Sequence, residues 1–389
     1  MIRFVLAITA LIVSPHSVSA FETNATAAYV VDQTTGTILL NKNADQPLPP
    51  ASMSKLMTLY MAFDAVRRGK SNGGLDLNEM LPVSEHAQSY GGSSMFLRSG
   101  ETVSVEDLLR GIIVLSGNDA CVVIAEALSP DGTEYGFARL MTQKAQEMGM
   151  TNSTFSNASG WPQTGHLMSM RDLALLADRL ITDFPEFYPL FAEKEFAFDN
   201  RVPSNRLNRN PVLGMDIGAD GLKTGHTQEA GYGLVGSAKQ GDRRVIFVIT
   251  GLDTVKERSE ESRAIVNWAF RQFSMRDVAK EGQQFAQADV WMGNAPTVGL
   301  VAAEDTEILM PALASDDIEA EVVYSGPVQA PISQGDQIAE LVFTLEGLPE
   351  TRIPLVADRD VAAGGFVSRV TTAAMLLFNR FVQGPEAQS

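Results

Sequence analysis

The 389-residue chain has a single cysteine, Cys121, and four histidines. One thiol cannot form an intrachain disulfide, and so few nitrogen and sulfur ligands leave little for a structural zinc site. We therefore expect neither a metal nor a cofactor. Basic residues are also scarce, with 30 Lys and Arg against 47 Asp and Glu and a formal net charge of -17. Such an acidic chain repels phosphate backbones, which argues against nucleic-acid binding.

Long hydrophobic runs are missing as well, because no segment after residue 20 approaches the about 18 apolar residues of a membrane-spanning helix. The first twenty residues combine Arg3, an apolar stretch from Phe4 to Val13, and a Val-Ser-Ala end at Ala20. This pattern is typical of a secretory signal peptide and predicts export. The alternative, a buried N-terminal helix or membrane anchor, is disfavoured by the shortness of the apolar stretch.

The remaining sequence has an ordinary globular composition, 45% hydrophobic and 20% charged. Residues 21–275 combine a predicted hairpin at 27–40, helices in the middle, and a helix over 260–273 that follows two strands. This mixture predicts an α/β or α+β domain. Residues 276–362 contain short β-rich runs separated by Gly and Pro, which predict a small β-sandwich or barrel.

The terminal segment, residues 363–389, predicts an amphipathic helix. On a helical wheel, Phe366, Val370 and Phe381 share an apolar side, while Arg369 and Arg380 lie on the other. A helix of this kind fits a membrane interface, with its arginines near anionic head groups. The alternative is a helix that packs on its own domain.

Three short motifs occur in order along residues 21–275: Ser52-Met53-Ser54-Lys55, Ser116-Gly117-Asn118 and Lys223-Thr224-Gly225. Each is weak alone, but their contexts agree. The first opens a predicted helix after Pro-Pro-Ala, the second lies in a break between two helices, and the third lies at the entry to a strand.

The first motif supplies a nucleophile with its base. A serine hydroxyl is a poor nucleophile without a base, and Lys55 lies one helical turn after Ser52, on the same face. A lysine acts as a base only if its pKa falls, and the nearby charge of Lys223 would lower it. The alternative reading of Ser52 is a simple helix cap.

The other two motifs supply groups for the substrate. Ser116 can relay a proton to a departing amine, and Asn118 can hold both Lys55 and a substrate amide. Lys223 and Thr224 can bind a substrate carboxylate. The alternative reading of Ser116 and Asn118 is an ordinary turn.

The chain resembles the low-molecular-mass penicillin-binding proteins, specifically the D-alanyl-D-alanine carboxypeptidases. Residues 49–58, 116–121 and 220–227 carry the resemblance, which extends over the whole mature chain. It implies a penicillin-binding, β-lactamase-like catalytic domain in which an antiparallel sheet packs with a helical cluster. It also implies an all-β C-terminal domain and a terminal membrane-anchoring helix.

The resemblance implies that Ser52 attacks the peptide bond between the two terminal D-alanines of a peptidoglycan stem pentapeptide. The oxyanion would lie between the backbone N–H groups of Ser52 and His226, beside Gly225. Water would then hydrolyse the acyl-enzyme, and β-lactams would acylate Ser52 as substrate mimics. The expected roles are peptidoglycan maturation and control of cell shape, on the periplasmic side of the bacterial inner membrane; a homodimer is compatible with the sequence.

Two arginines match the family less firmly. Arg258 matches an arginine associated with the substrate carboxylate, and a bidentate cation suits that group; the alternative is a solvated charge at a helix start. Arg209 is a weaker match, expected to support the structure. Gly160-Trp161-Pro162 departs from the Gly-Leu-Pro or Gly-Leu-Asp pattern expected there, and His166 in the same loop is expected to make only loop hydrogen bonds.

Three alternative functions are compatible with the same motifs. A class A β-lactamase needs a glutamate on the loop beside the site, and residues 151–170 contain neither Glu nor Asp, so we expect slow β-lactam turnover. A D,D-endopeptidase would cut crosslinks instead, but no large insert separates Ser52 from Ser116. A non-catalytic wall-binding protein would gain nothing from a buried lysine pair.

Overall fold

The computed structural model describes residues 21–312, 320–344 and 348–365. The predicted signal peptide and the amphipathic helix from residue 366 onward lie outside these ranges. Two compact units divide the chain, one formed by Ala20–Arg271 and the other beginning at Gln272. None of the helices in the described ranges has the length and apolar character that crossing a bilayer requires.

The first unit is built on a five-stranded antiparallel sheet with the order β2-β1-β7-β6-β5. The predicted hairpin forms β1 and β2, so the last strand of the unit, β7, pairs with the first. Because β5 is an edge strand, the backbone N–H and C=O groups along one of its sides do not pair with another strand of this sheet. The strands are β1 (Ala27–Asp32), β2 (Ile38–Lys42), β5 (Ala219–Thr227), β6 (Gly231–Gln240) and β7 (Arg243–Leu252), and a separate short pair is β3 (Met80–Pro82) with β4 (Thr102–Ser104).

Helices cover both faces of the five-stranded sheet. Alternate residues of a strand point to opposite faces: Tyr29 and Val248 join the core of the main helical cluster, while Val30 and Phe247 pack with the last helix. The predicted arrangement of sheet and helical cluster is therefore confirmed. The helices are α1 (Lys55–Arg68), α2 (Glu85–Ser89), α3 (Val105–Arg110), α4 (Asn118–Leu128), α5 (Glu134–Glu147), α6 (Met170–Asp183) and α7 (Val255–Gln272).

The last helix differs from the prediction at both ends. It begins at Val255, five residues before the predicted start at 260, because the Thr254 hydroxyl accepts a hydrogen bond from the Glu257 N–H at 3.0 Å. The Glu257 carboxylate in turn accepts one from the N–H of Asp253, which resembles a capping box. It ends one residue early because Phe273 already belongs to the next strand.

The second unit is all-β within its described residues, as predicted. A six-stranded sheet has the order β12-β14-β15-β10-β9-β13, and a two-stranded sheet joins β8 with β11. Ile308 and Met310 of β11 share a core with Leu300 and Leu355 of the larger sheet. The strands are β8 (Phe273–Ala279), β9 (Gln284–Trp291), β10 (Thr297–Ala302), β11 (Thr306–Pro311), β12 (Ala320–Tyr324), β13 (Val328–Gln329), β14 (Gln337–Phe343) and β15 (Thr351–Ala357).

Candidate active site

Ser52 lies in a 3-10 turn, Ala51–Ser54, that leads directly into α1. Two glycines make room for this turn. A side chain at Gly160 would collide with the carbonyl oxygen of Ala51, and one at Gly225 would come within 2.9 Å of the carbonyl oxygen of Pro50. Ala51 itself has a φ of 48°, in the left-handed region. Backbone strain of this kind is common at functional sites.

The Lys55 ammonium is fully buried and held by three acceptors. Its Nζ lies 2.8 Å from Ser52 Oγ, 2.7 Å from Asn118 Oδ1 and 2.6 Å from the carbonyl oxygen of Ser159. Burial lowers the pKa of Lys55 to about 8, and the charge of Arg209 acts in the same direction. The predicted pairing of Ser52 with Lys55 is thus present, although burial, rather than Lys223, is the main cause of the lowered pKa.

The second motif lies where the helical backbone is interrupted. After α3 the chain makes a π-helical turn, Gly111–Leu115, and Ser116 then adopts a left-handed conformation with a φ of 60°. This break, predicted from sequence, lets α4 begin at Asn118. The Asn118 amide nitrogen donates to the carbonyl oxygen of Gly91 at 2.7 Å while its oxygen accepts from Lys55.

Asp119, which was not among the residues predicted from sequence, holds the loop beside Asn118 in place. Its buried carboxylate accepts hydrogen bonds from the N–H groups of Met95 and Leu97 and from the hydroxyl of Ser94. It therefore anchors the loop that precedes α3, next to the Asn118 side chain. An aspartate at a helix start gives no signal in the sequence beyond an ordinary capping residue.

The third motif lies in the middle of β5, not at its entry as predicted. Lys223 and Thr224 are buried, and Lys223 Nζ lies 3.2 Å from the carbonyl oxygen of Thr224. The pKa of Lys223 is lowered well below its ordinary value, first by burial and then by the charges of Lys55 and Arg209. The charge of Lys55 thus lowers the pKa of Lys223, whereas the sequence analysis expected Lys223 to lower the pKa of Lys55.

The two arginines and His226 lie near the second and third motifs. Arg209 Nη1 lies 2.6 Å from Ser93 Oγ, and its Nη2 lies 3.2 Å from the carbonyl oxygen of Leu115, the residue before Ser116. Arg258 is buried, its Nη2 lies 3.4 Å from the Arg209 carbonyl oxygen, and burial lowers its pKa. The exposed ring of His226 stacks on Tyr232 at 3.8 Å, and the Arg258 guanidinium lies over the Tyr232 ring as well.

The loop between α5 and α6, residues 148–169, also contributes to the site. The Asn157 carboxamide accepts from the N–H groups of Ser159, Gly160 and Trp161, which holds the Ser159 carbonyl in place for Lys55. Glu134, also missed from sequence, accepts from the N–H of Ala158. The expected role of this loop as a border of the site is therefore present, and its backbone supplies a ligand to Lys55.

The arrangement supports nucleophilic catalysis by Ser52. A hydroxyl lies within hydrogen-bond distance of a buried amine with a lowered pKa, and cations on β5 and nearby can bind an anion. Cys121 is buried and its pKa is raised to about 12, so its thiol is not a competing nucleophile. Among the described residues, no cluster of His, Cys, Asp and Glu could hold a metal ion.

Comparison with known families agrees with this chemistry. The family model described as D-alanyl-D-alanine carboxypeptidase, peptidase family S11, matches residues 14–254. The chain belongs to this family. The family model described as penicillin-binding protein 5, C-terminal domain, matches residues 273–363. The chain is thus a serine-type hydrolase in which an S11 catalytic domain precedes an all-β domain.

Individual relatives extend the likeness over nearly the whole length. D-alanyl-D-alanine carboxypeptidase DacC of Escherichia coli (strain K12) is 36% identical over 375 residues, which cover 94% of this chain and 91% of the relative. The crystal structure of penicillin binding protein 5 from Haemophilus influenzae matches with a TM-score of 0.71 and 33% identity, covering 88% and 98% of the two chains. The structure of penicillin-binding protein D2 from Listeria monocytogenes in its ampicillin-bound form matches with a TM-score of 0.57 and 31% identity. The match covers 64% of this chain and 99% of that one.

Proposed function

We propose that the protein removes the terminal D-alanine from peptidoglycan stem pentapeptides through an acyl-enzyme on Ser52. The observation that carries this proposal is the position of Lys55, whose buried Nζ lies 2.8 Å from Ser52 Oγ. Family membership supports the substrate class, and the arrangement of Lys55 supports the identity of nucleophile and base.

In the acylation step, Ser52 Oγ attacks the carbonyl carbon between the two D-alanines while its proton moves to Lys55 Nζ. The backbone N–H groups of Ser52 and His226 receive the developing oxyanion. The C–N bond then breaks, and the leaving amine takes up a proton through Ser116. Asn118 holds Lys55 in place and donates its remaining N–H to the substrate.

The substrate's terminal carboxylate is bound by the cationic wall. Lys223 and Thr224 offer an ammonium and a hydroxyl on β5, and Arg209 and Arg258 add positive charge beside them. Gly225 leaves β5 close to the Ser52 turn. Because the carboxylate belongs to the leaving D-alanine, these cations select peptides cleaved at their C-terminal end.

Deacylation releases the shortened peptide when water attacks the ester on Ser52 and the hydroxyl recovers its proton. Class A β-lactamases accelerate this step with a loop glutamate. Here the charge of Glu134 acts on Lys55, but the Glu134 carboxylate is engaged by Tyr90, His86 and the N–H of Ala158. We therefore propose that β-lactams acylate Ser52 and that the resulting acyl-enzyme is hydrolysed slowly.

The experiment measures free D-alanine from a synthetic stem pentapeptide, cleavage of a crosslinked peptide dimer, and hydrolysis of nitrocefin, all with the purified mature protein. We expect one D-alanine per pentapeptide, slower cleavage of the dimer and little nitrocefin turnover. Dimer cleavage faster than D-alanine release would favour the endopeptidase alternative, and rapid nitrocefin hydrolysis would favour a β-lactamase.

We further propose that residues 1–20 direct export, that 21–275 and 276–362 form the catalytic and β domains, and that residues 363–389 anchor the protein to the periplasmic face of the inner membrane. The apolar start of the sequence, and the aromatic and arginine-bearing sides of the helix predicted for residues 363–389, support this proposal. Deleting residues 364–389 should release the protein from membrane fractions with D-alanine release unchanged in solution. Continued membrane association of the truncated protein would contradict the anchor.

A further inference from the structure

Glu134 is a buried carboxylate at the start of α5, and the mechanism described above gives it no part in acylation. Its side chain is only 9% accessible, although glutamate side chains are mostly exposed. Oε1 accepts a hydrogen bond from the Tyr90 hydroxyl at 3.0 Å and another from the N–H of Ala158 at 2.9 Å, and Oε2 lies 3.0 Å from Nε2 of His86. A single oxygen atom thus joins two loops that are distant in the sequence.

The loop that contains Ala158 leads directly to Lys55. The next residue, Ser159, offers its carbonyl oxygen to Lys55 Nζ at 2.6 Å. The carbonyl oxygen of Ala158 accepts a hydrogen bond from Thr58 Oγ1, also at 2.6 Å, one helical turn after Lys55 on α1. The backbone at Ala158 is therefore held between Glu134 and α1, and a shift there moves the Ser159 carbonyl away from Lys55.

The loop that contains Tyr90 leads to Lys55 through Asn118. The carbonyl oxygen of Gly91 accepts a hydrogen bond from Asn118 Nδ2 at 2.7 Å, and Asn118 Oδ1 lies 2.7 Å from Lys55 Nζ. Burial raises the pKa of Tyr90, so its hydroxyl remains a donor to Glu134 over the pH range of an assay. Two paths of hydrogen bonds thus run from Oε1 of Glu134 to the ammonium of Lys55.

Asn157 does not duplicate this contact. Its carboxamide oxygen accepts from the N–H groups of Ser159, Gly160 and Trp161, whereas the N–H of Ala158 donates to Glu134. Because Ala158 is fully buried, its N–H has no solvent to turn to when the Glu134 carboxylate is removed. Loss of Glu134 therefore favours a rearrangement of the backbone beside Lys55.

We propose that Glu134 is a positioning residue for the acylation of Ser52, because its bridge between Tyr90 and Ala158 holds the two backbone carbonyls that orient Asn118 and Lys55. The inference rests on the proposed function, since it takes Lys55 as the base for Ser52. Without the bridge, kcat should fall because the base is misplaced. KM should change little, because the cations that bind the substrate carboxylate are not among the partners of Glu134.

The charge of Glu134 has an effect that can be separated from its position. Burial lowers the pKa of Lys55 to about 8, the charge of Arg209 lowers it further, and the charges of Asp119 and Glu134 oppose this. Glu134→Gln can keep both contacts of Oε1 through its carboxamide oxygen and place its amide nitrogen at His86, so it removes the charge alone. The other titratable groups of the described chain that interact with Lys55 are the same in this variant: Asp119, Cys121, His166, Arg209 and Lys223.

The test follows two reactions of Ser52 in the purified mature protein, D-alanine release from a stem pentapeptide and acylation by a fluorescent penicillin. Glu134→Ala should lower kcat and the acylation rate by about 30-fold, with KM within about twofold. Glu134→Gln should keep both rates within about threefold at pH 9. Its ratio of kcat/KM at pH 6 to that at pH 9 should be about threefold above the wild-type ratio, because loss of a negative charge favours neutral Lys55.

Glu147, the last residue of α5, provides the matched control. Its side chain is 54% accessible and lies 3.8 Å from Lys144. Glu147→Ala and Glu147→Gln make the same chemical changes in the same helix and should leave kcat, KM and the pH ratio unchanged. Thermal melting compares the folding of all variants.

Tyr90→Phe tests the bridge even if Glu134→Ala does not fold. It keeps the ring, removes only the hydroxyl that donates to Glu134, and should lower kcat by about threefold. The inference is overturned if the variants that break the bridge keep the wild-type kcat, if Glu134→Gln loses as much activity as Glu134→Ala, or if the pH ratio of Glu134→Gln equals that of the wild type.

Failure of the proposed function would look different. Acylation of the wild type by penicillin without release of D-alanine would overturn the carboxypeptidase function, while the acylation rates of the variants would still decide the role of Glu134. A wild-type protein that shows neither reaction would overturn both proposals.

Discussion

Replacing Ser52 with alanine is expected to reduce D-alanine release by roughly 10⁴-fold or more, because the acyl-enzyme cannot form without its hydroxyl. Binding groups such as Asn118 and Lys223 are untouched, so the peptide should still bind. The measurement is kcat/KM for D-alanine release from a stem pentapeptide, together with loss of labelling by a fluorescent penicillin.

Ser54 provides a matched control in the same turn. Its hydroxyl is buried and, within the described chain, has no hydrogen-bond partner. Ser54→Ala makes the same chemical change two residues away and should retain activity within about twofold, because no interaction is lost. An equal loss in both variants would show that the turn, and not the Ser52 hydroxyl, is what the reaction needs.

Replacing Lys55 with methionine is expected to reduce kcat/KM by about 10³-fold or more, because the Ser52 proton loses its acceptor. Lys55→Arg should be similarly inactive, since a guanidinium stays charged and cannot act as a base. Lys70→Met, at an exposed lysine whose side chain is 69% accessible, should leave the rate unchanged. Substantial activity in Lys55→Arg would contradict a role for Lys55 as base.

Lys55 also determines how kcat/KM depends on pH. Lys55 accepts a proton only in its neutral form, and burial lowers its pKa to about 8. Below that pH the neutral fraction falls about tenfold per unit, so kcat/KM should decrease toward acid pH with a slope of one. A profile that rises as the pH falls through this range would contradict the assignment.

The sequence predicted the groups that carry chemistry, because their residue types and order are unusual together. Hydrogen bonds join Ser52, Lys55 and Asn118 in the structure. Ser116 lies in the same turn as Asn118, and the charge of Lys55 acts on Lys223. The break before Asn118 was also predictable, since Ser-Gly-Asn favours a turn over a continued helix.

The groups that position these residues were not predictable. Lys55 has its shortest hydrogen bond to the backbone carbonyl of Ser159, which any residue could supply. Asp119 and Glu134 look like helix-start acids in the sequence, yet their carboxylates hold neighbouring loops. Their roles depend on segments that approach only in the folded chain, so no local pattern reveals them.

The strands of the second domain were also only partly predictable from the sequence. Four β-rich runs, at 298–302, 318–324, 338–345 and 351–356, predicted its class, but β8, β9, β11 and β13 lie outside them. In β9, Gln284–Trp291, Ala288 and Val290 are buried, but the adjacent half-buried Phe285 and Ala286 break the alternation. Weak alternation arises when a strand is only partly covered, and it then resembles a loop in the sequence.

The central claim, that Ser52 is the nucleophile of a penicillin-sensitive carboxypeptidase, is tested most directly by mass spectrometry. The mature protein is incubated with benzylpenicillin, digested and mapped, while free D-alanine from a stem pentapeptide is measured with the same preparation. We predict one penicilloyl group, located on Ser52, and one D-alanine released per peptide. An adduct on another residue, or neither adduct nor D-alanine, would contradict the account.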